Sequence, residues 1–134
     1  LIDDTLIKNI ILDSDQNQQN VETAKNLIHK CKLEDLEKSL NKRKNGQIGE
    51  DARNISGGEK QRINLARALF KKPEIIVLDE ATNALDEITE REIFNLIKDL
   101  SKTKTIIIVT HKLELKKFSD YVYQIQEGNL INFS

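Results

Sequence analysis

Methionine is absent from this chain, and cysteine, proline and glycine are scarce: one, one and five among 134 residues. A single cysteine, Cys31, excludes an internal disulfide and fits a reducing compartment. It is expected to be a buried thiol on a helix. No apolar run approaches the roughly 18 residues that span a bilayer. The densest runs, "IIVL" and "TIIIV", suit buried strands. Neither sign of charge dominates, with 21 basic and 22 acidic residues and a net charge of -1. That balance excludes an electrostatic case for nucleic acid or an anionic membrane as a direct partner. No secretory signal pattern opens the chain, and Leu1 is not a natural start, so the sequence reads as a piece of a larger protein. With 38% hydrophobic and 32% charged residues, this length predicts one soluble globular unit with a real core.

The first half is patterned for helices. Asp4 is placed to cap a short helix through "TLIKNIIL", where Leu6, Ile7, Ile10 and Ile11 form one apolar stripe. The polar stretch "DSDQNQQN" reads as a loop. "VETAKNLIHKCKLEDLEKSL" predicts two helices broken near Lys32, with His29 structural, and "NKRKNGQIGEDARN" predicts a loop. In "ISGGEKQRINLARAL", Ser56 and Glu59 have the spacing of a capping box, in which each side chain takes an N–H of the other's backbone. Ile63, Ala66, Leu69 and Phe70 share one helical face, and Pro73 stops the helix. "IIVLD" and "KTIIIVTH" predict strands buried on both sides. The helix "EITEREIFNLIKDLSK" lies between them, so the unit should be a right-handed parallel crossover. The tail "YVYQIQEGNLINF" predicts a hairpin turning at Glu127-Gly128-Asn129.

Three places carry chemistry. A helix N-terminus exposes unpaired N–H groups and partial positive charge, and Gly57 and Gly58 remove the side chains that would keep a phosphate away. A plain capped helix fits the same stretch. Asp79 and Glu80 end a hydrophobic strand, where paired carboxylates lose hydration unless a cation or hydrogen bonds compensate. A strand ending in an aspartate that holds Mg²⁺ recurs in phosphate-hydrolysing sites, although an Asp-Glu loop capping the next helix is the plainer alternative. His111 follows the other strand, which should place it on the same sheet edge as Asp79 and Glu80, where open parallel sheets bind ligands. Asp86, in "NALDE", either caps the next helix or has a further role.

"ISGGEKQRINLARAL", "IIVLDEATNALD" and "IIIVTH", in that order, closely resemble the ATPase domains of ABC transporters over essentially the whole chain. The resemblance implies an α/β fold. A partial parallel sheet of the P-loop NTPase kind (residues 73–134) would be preceded by an all-α helical subdomain (residues 1–72). It matches Ser56, Gly57, Gly58 and Glu59 to the signature motif and Asp79 to the Walker B aspartate that holds Mg²⁺ through water. Glu80 is matched to the catalytic glutamate, Asp86 to the D-loop at the dimer interface and His111 to the switch histidine. Gly49-Glu50 resembles the loop that touches the membrane domain in exporter-type members. "LIDDTLIKNIIL" is similar to the segment after the Q-loop in exporters that flip lipid-linked oligosaccharides.

Two departures stand out. The signature has Ile55 and Glu59 where the family usually has leucine and glutamine; the capping box would turn the Glu59 carboxylate back toward Ser56. No Walker A loop, G-x-x-x-x-G-K-[ST], is present, because none of Gly46, Gly49, Gly57, Gly58 and Gly128 precedes a lysine. The chain therefore resembles the C-terminal part of an exporter ATPase domain lacking Walker A and the Q-loop.

Such a domain would work with ATP and Mg²⁺ at the cytoplasmic face of the cell membrane. Its partners would be a second ATPase domain, head to tail, and the transmembrane domain of the same transporter. The piece alone is expected to be inactive and to self-associate through uncovered sheet edges. A soluble ABC ATPase acting on DNA or in translation is the alternative. The exporter-like Gly49-Glu50 loop and the short path from Leu40 to Ser56 weigh against it.

Overall fold

Thr5 starts the first helix of the computed structural model, which describes residues 1–43, 46–49 and 55–132. Its hydroxyl accepts the Lys8 N–H at 3.2 Å and so caps α1 (Leu6–Ile11). Asp4, expected in that role, lies one residue too early, and its carboxylate instead accepts the Thr5 N–H at 2.7 Å. Helix α2 (Gln18–Lys30) begins inside the stretch read as a loop, because Asn17 supplies a cap to the Asn20 N–H. The break after α2 falls where expected. Lys32 adopts φ 56°, left-handed backbone that a helix cannot continue through, before α3 (Glu34–Asn41).

Helix α4 (Gly57–Phe70) packs against α1 and α2. Leu6, Ile10, Ile11, Ala24, Leu27 and Ile28 from α1 and α2 meet Ile63, Ala66, Leu69 and Phe70 from α4 in one apolar cluster. Each fully buried Leu or Ile there contributes about 1.5–3 kcal/mol. Cys31 is fully buried at the end of α2, as expected. Asn9 of α1 is a fully buried polar residue. Its side chain exchanges hydrogen bonds with Ile2 at 2.9 Å each, and its carbonyl accepts the Arg67 Nε–H at 2.8 Å, which ties the chain start to α4. Gly49, at φ 88°, donates its N–H to Asp3 at 3.0 Å, and Ile48 is buried beside it. Glu50, the other half of the exporter-like pair, lies outside the described residues.

Strand β1 (Ile75–Asp79), helix α5 (Glu87–Ser101) and strand β2 (Thr105–Val109) follow, and β1 and β2 pair in parallel from Ile75↔Thr105 to Asp79↔Val109. Burial on both sides, expected from their unbroken apolar runs, is not what is found. Ile76 and Leu78 face the core, with Ile93 and Ile97 of α5 in the same cluster, while Ile75, Val77, Ile107 and Val109 are about half exposed or more. Side chains alternate across a strand, and among the described residues only one face of this two-stranded sheet is covered. A 3₁₀ segment (Leu113–Phe118) leads to the hairpin of β3 (Tyr123–Gln126) and β4 (Asn129–Asn132). It turns through Glu127 and Gly128, both at positive φ, as the turn chemistry predicts. No helix among the described residues is long and apolar enough to cross a membrane.

Candidate functional site

The capping box at the head of α4 is formed. Ser56 Oγ accepts the Glu59 N–H at 3.2 Å, and Glu59 Oε2 accepts the Ser56 N–H at 2.7 Å. The unusual Glu59 carboxylate is thereby held back against Ser56, as the capping-box reading expects. The N–H groups of Gly57 and Gly58 precede the first intrahelical bond, which runs from Lys60 to the Ser56 carbonyl at 3.0 Å. No acceptor for either lies among the described residues, so both donors of this helix end are unpaired there.

The two glycines answer to different demands. Gly57 is exposed, and a Cβ there would meet Ala84 Cβ at 3.3 Å. Gly58 is buried, and a Cβ there would stand 2.7 Å from the Ala84 carbonyl oxygen and 3.1 Å from a Leu85 methyl. Whatever approaches from outside, the loop following Glu80 already presses on Gly58 from within the chain.

Parallel pairing places the second group. Both strands end at the same edge, and the Glu80 N–H extends the ladder by one bond to the Val109 carbonyl at 3.0 Å. Asp79 is the last strand residue and is exposed. Glu80 then leaves the strand at φ 46°, a left-handed conformation that is strained for a residue with a side chain. This turn brings the Glu80 carboxylate 3.2 Å from His111 Nε2, while His111 itself stands 93% exposed at the end of β2. The expected gathering of Asp79, Glu80 and His111 on one sheet edge is present. Among the described residues no three His, Cys, Asp or Glu side chains form a metal cage. An isolated carboxylate suits Mg²⁺, which commonly takes one or two protein carboxylates and completes its shell with water and phosphate oxygens.

From Glu80 to Asp86 the chain turns on itself, with Asn83 N–H bonded to the Glu80 carbonyl and Leu85 N–H to the Thr82 carbonyl, each at 3.2 Å. Asp86 caps α5 by accepting the Thr89 N–H at 3.0 Å. That bond to Thr89 holds the Asp86 carboxyl below its ordinary pKa. Lys112, just past His111, pairs with Glu90 of α5 and steadies the loop behind the histidine.

One residue escaped the sequence reading. The Gln61 side chain donates to the Glu80 carbonyl at 3.2 Å and accepts the Ala84 N–H at 3.3 Å. Helical spacing puts it on the same face as Gly57 and Gly58, four and three residues earlier, but nothing in the sequence tells which loop that face meets.

A capped glycine helix start thus stands near an acidic strand end that faces a histidine. The ABC transporter family model matches residues 3–83, and the chain belongs to that family. It is 40% identical over 131 residues to an ATP-dependent lipid A-core flippase 2 of Colwellia psychrerythraea, covering 98% of this chain and 22% of the relative. It is 35% identical, with the same coverage, to a putative export ATP-binding/permease protein of Rickettsia typhi. A solved structure of a bacterial Atm1-family ABC exporter with ATP bound aligns with a TM-score of 0.82 at 30% identity, covering 98% of this chain and 23% of that one. The chain thus spans about a fifth of the length of the exporters it matches, and it carries the α/β fold of their ATPase part.

Proposed function

We propose that this chain is the C-terminal part of the ATP-binding and ATP-hydrolysing domain of an ABC exporter, which couples hydrolysis to transport across the cell membrane from its cytoplasmic face. The observation that carries the reading is the meeting of Glu80 and His111 at 3.2 Å beside Asp79, where two parallel strands end. Residues 1–72 form the helical signature subdomain and residues 73–134 the later part of the P-loop core.

ATP is the substrate, and Mg²⁺, when bound, neutralises charge on its phosphates. Asp79 would hold that ion. Glu80 orients and polarises the attacking water, and its carboxylate, paired with His111 at the surface, is accessible to it. His111, almost fully exposed, reaches the terminal phosphate. The N–H groups of Gly57 and Gly58, unpaired among the described residues, and Ser56 beside them serve the nucleotide of a second ATPase domain packed head to tail. Glu59 keeps that helix start in shape, and Asp86 lies at the interface between the two domains. The membrane-spanning part of the same transporter is the other partner. Because phosphoryl transfer rests on positioning and charge, and no Walker A loop is in this sequence, the chain alone is inert.

In the full-length protein, Glu80→Gln should keep ATP bound and abolish hydrolysis. Steady turnover in that variant would overturn the assignment. Titration of the isolated chain with Mg²⁺-ATP, followed by calorimetry, should show no saturable site below the millimolar range. Tight binding would reject its inertness.

A further inference from the structure

Glu80 occupies a backbone conformation that few side-chain-bearing residues adopt, so something must hold it there. Its N–H is fixed by Val109 and its carbonyl receives the Asn83 N–H. The carbonyl also receives the Gln61 amide from a different element, the first turns of α4. The other end of the same amide accepts the Ala84 N–H. A backbone carbonyl can only accept and a backbone N–H can only donate, so a single orientation of the Gln61 amide satisfies both bonds. Gly58, on the same helix face, lets the loop come close enough for this bridge, with the Ala84 carbonyl 2.7 Å from where a Cβ would be.

We propose that Gln61 is a positioning residue for hydrolysis: it clamps the Glu80–Ala84 loop to the signature helix and so sets the direction of the Glu80 carboxylate. The proposal rests on the reading of Glu80 as the residue that polarises the attacking water. The clamp also gives the helix start and Glu80 a direct mechanical link. Gln61 lies one turn beyond Ser56-Gly57-Gly58 and touches the main chain of Glu80 itself. A Lys, Leu or Ala in its place could fill space but could not donate to one group and accept from the other.

The test uses the full-length transporter carrying Gln61→Glu and Gln61→Ala, with ATP turnover measured across ATP concentrations. Gln61→Glu keeps the length and the bond from Ala84 but, while ionised, cannot donate to the Glu80 carbonyl. It should lower kcat about tenfold and leave the KM for ATP within about twofold, the pattern of a contact needed for the reaction step and not for substrate binding. Gln61→Ala should lower kcat at least as far. If Gln61→Ala fails to fold, Gln61→Glu decides the matter.

Hydrogen exchange of residues 80–86 supplies a readout that simple filling of space does not move. Protection at Ala84 should fall in Gln61→Ala and persist in Gln61→Glu. Undiminished kcat in Gln61→Glu, or a KM that rises as much as kcat falls, overturns the proposal. Glu80→Gln is run beside them. Surviving hydrolysis there rejects the underlying reading and this proposal with it, whereas an inactive Glu80→Gln beside a fully active Gln61→Glu rejects this proposal alone.

Discussion

Replacing Gly58 by alanine adds one methyl group at a place where the nearest backbone oxygen, that of Ala84, would stand only 2.7 Å away. Real Cβ atoms do not come so near a carbonyl oxygen, and the Leu85 methyl at 3.1 Å closes a second direction. Either α4 or the loop 82–85 must move, and forcing a methyl into a packed contact costs about 1–3 kcal/mol. Against this, alanine is the better helix former by up to about 1 kcal/mol, less in a first turn where the backbone is not yet fully bonded. The net expectation for Gly58→Ala is a loss of about 1–2 kcal/mol, or about 3–6 °C in melting temperature for a chain of this size.

Gly57→Ala is the matched control. Its Cβ would meet only the tip of Ala84 at 3.3 Å, so helix propensity and crowding should nearly cancel. Urea unfolding of both variants beside the parent sequence, without nucleotide, measures the difference. A ligand cannot influence that experiment, which is the reason for choosing it. If Gly58 were glycine only so that a phosphate could approach, Gly58→Ala in the free protein would be neutral or slightly stabilised. That result would falsify the internal-packing account.

Burial pushes the Cys31 thiol up to about 12, despite the nearby positive charges of Arg62 and Lys30. The folded state therefore holds this proton more tightly than the unfolded one, whose thiol titrates at about 8.5. The resulting stability is complete below about pH 8.5 and is lost as pH rises from there toward 12. The urea midpoint should fall across that window more steeply than in Cys31→Ala, and native Cys31 should resist iodoacetamide at pH 8; equal slopes or prompt alkylation would refute this. The exposed β-branched face formed by Ile75, Val77, Ile107 and Val109 predicts self-association of the isolated chain, seen by sedimentation as a dimer or larger species. Val77→Lys with Ile107→Lys, on directly paired positions, should shift it toward monomer. A monomeric parent chain at high concentration would show that this face is not adhesive.

Much of the fold was legible because it rests on local rules. Ser56 and Glu59 form their box because both partners lie within one helical turn, and such geometry follows from spacing alone. The Glu127-Gly128 turn and the break at Lys32 are equally local. The misreadings share a different cause. Whether Thr5 or Asp4 caps α1 depends on which oxygen reaches the Lys8 N–H, a matter of one residue in backbone direction. The double-sided burial expected of β1 and β2 failed because an apolar run states what a strand can bury, not which neighbours are present to cover it.

For the site, the order of motifs along the chain was enough to single out Ser56, Gly57, Gly58, Asp79, Glu80 and His111 as the residues to watch. Parallel pairing was enough to predict that Asp79, Glu80 and His111 share an edge. Tertiary packing alone decided that Gly58 is pressed from within by Ala84, and that Gln61 reaches Glu80 nineteen residues away. Both are contacts between a helix face and a loop backbone, set by how closely the two elements approach. No periodicity in a sequence encodes that distance; it exists only once α4 and the β1–α5 loop have packed together.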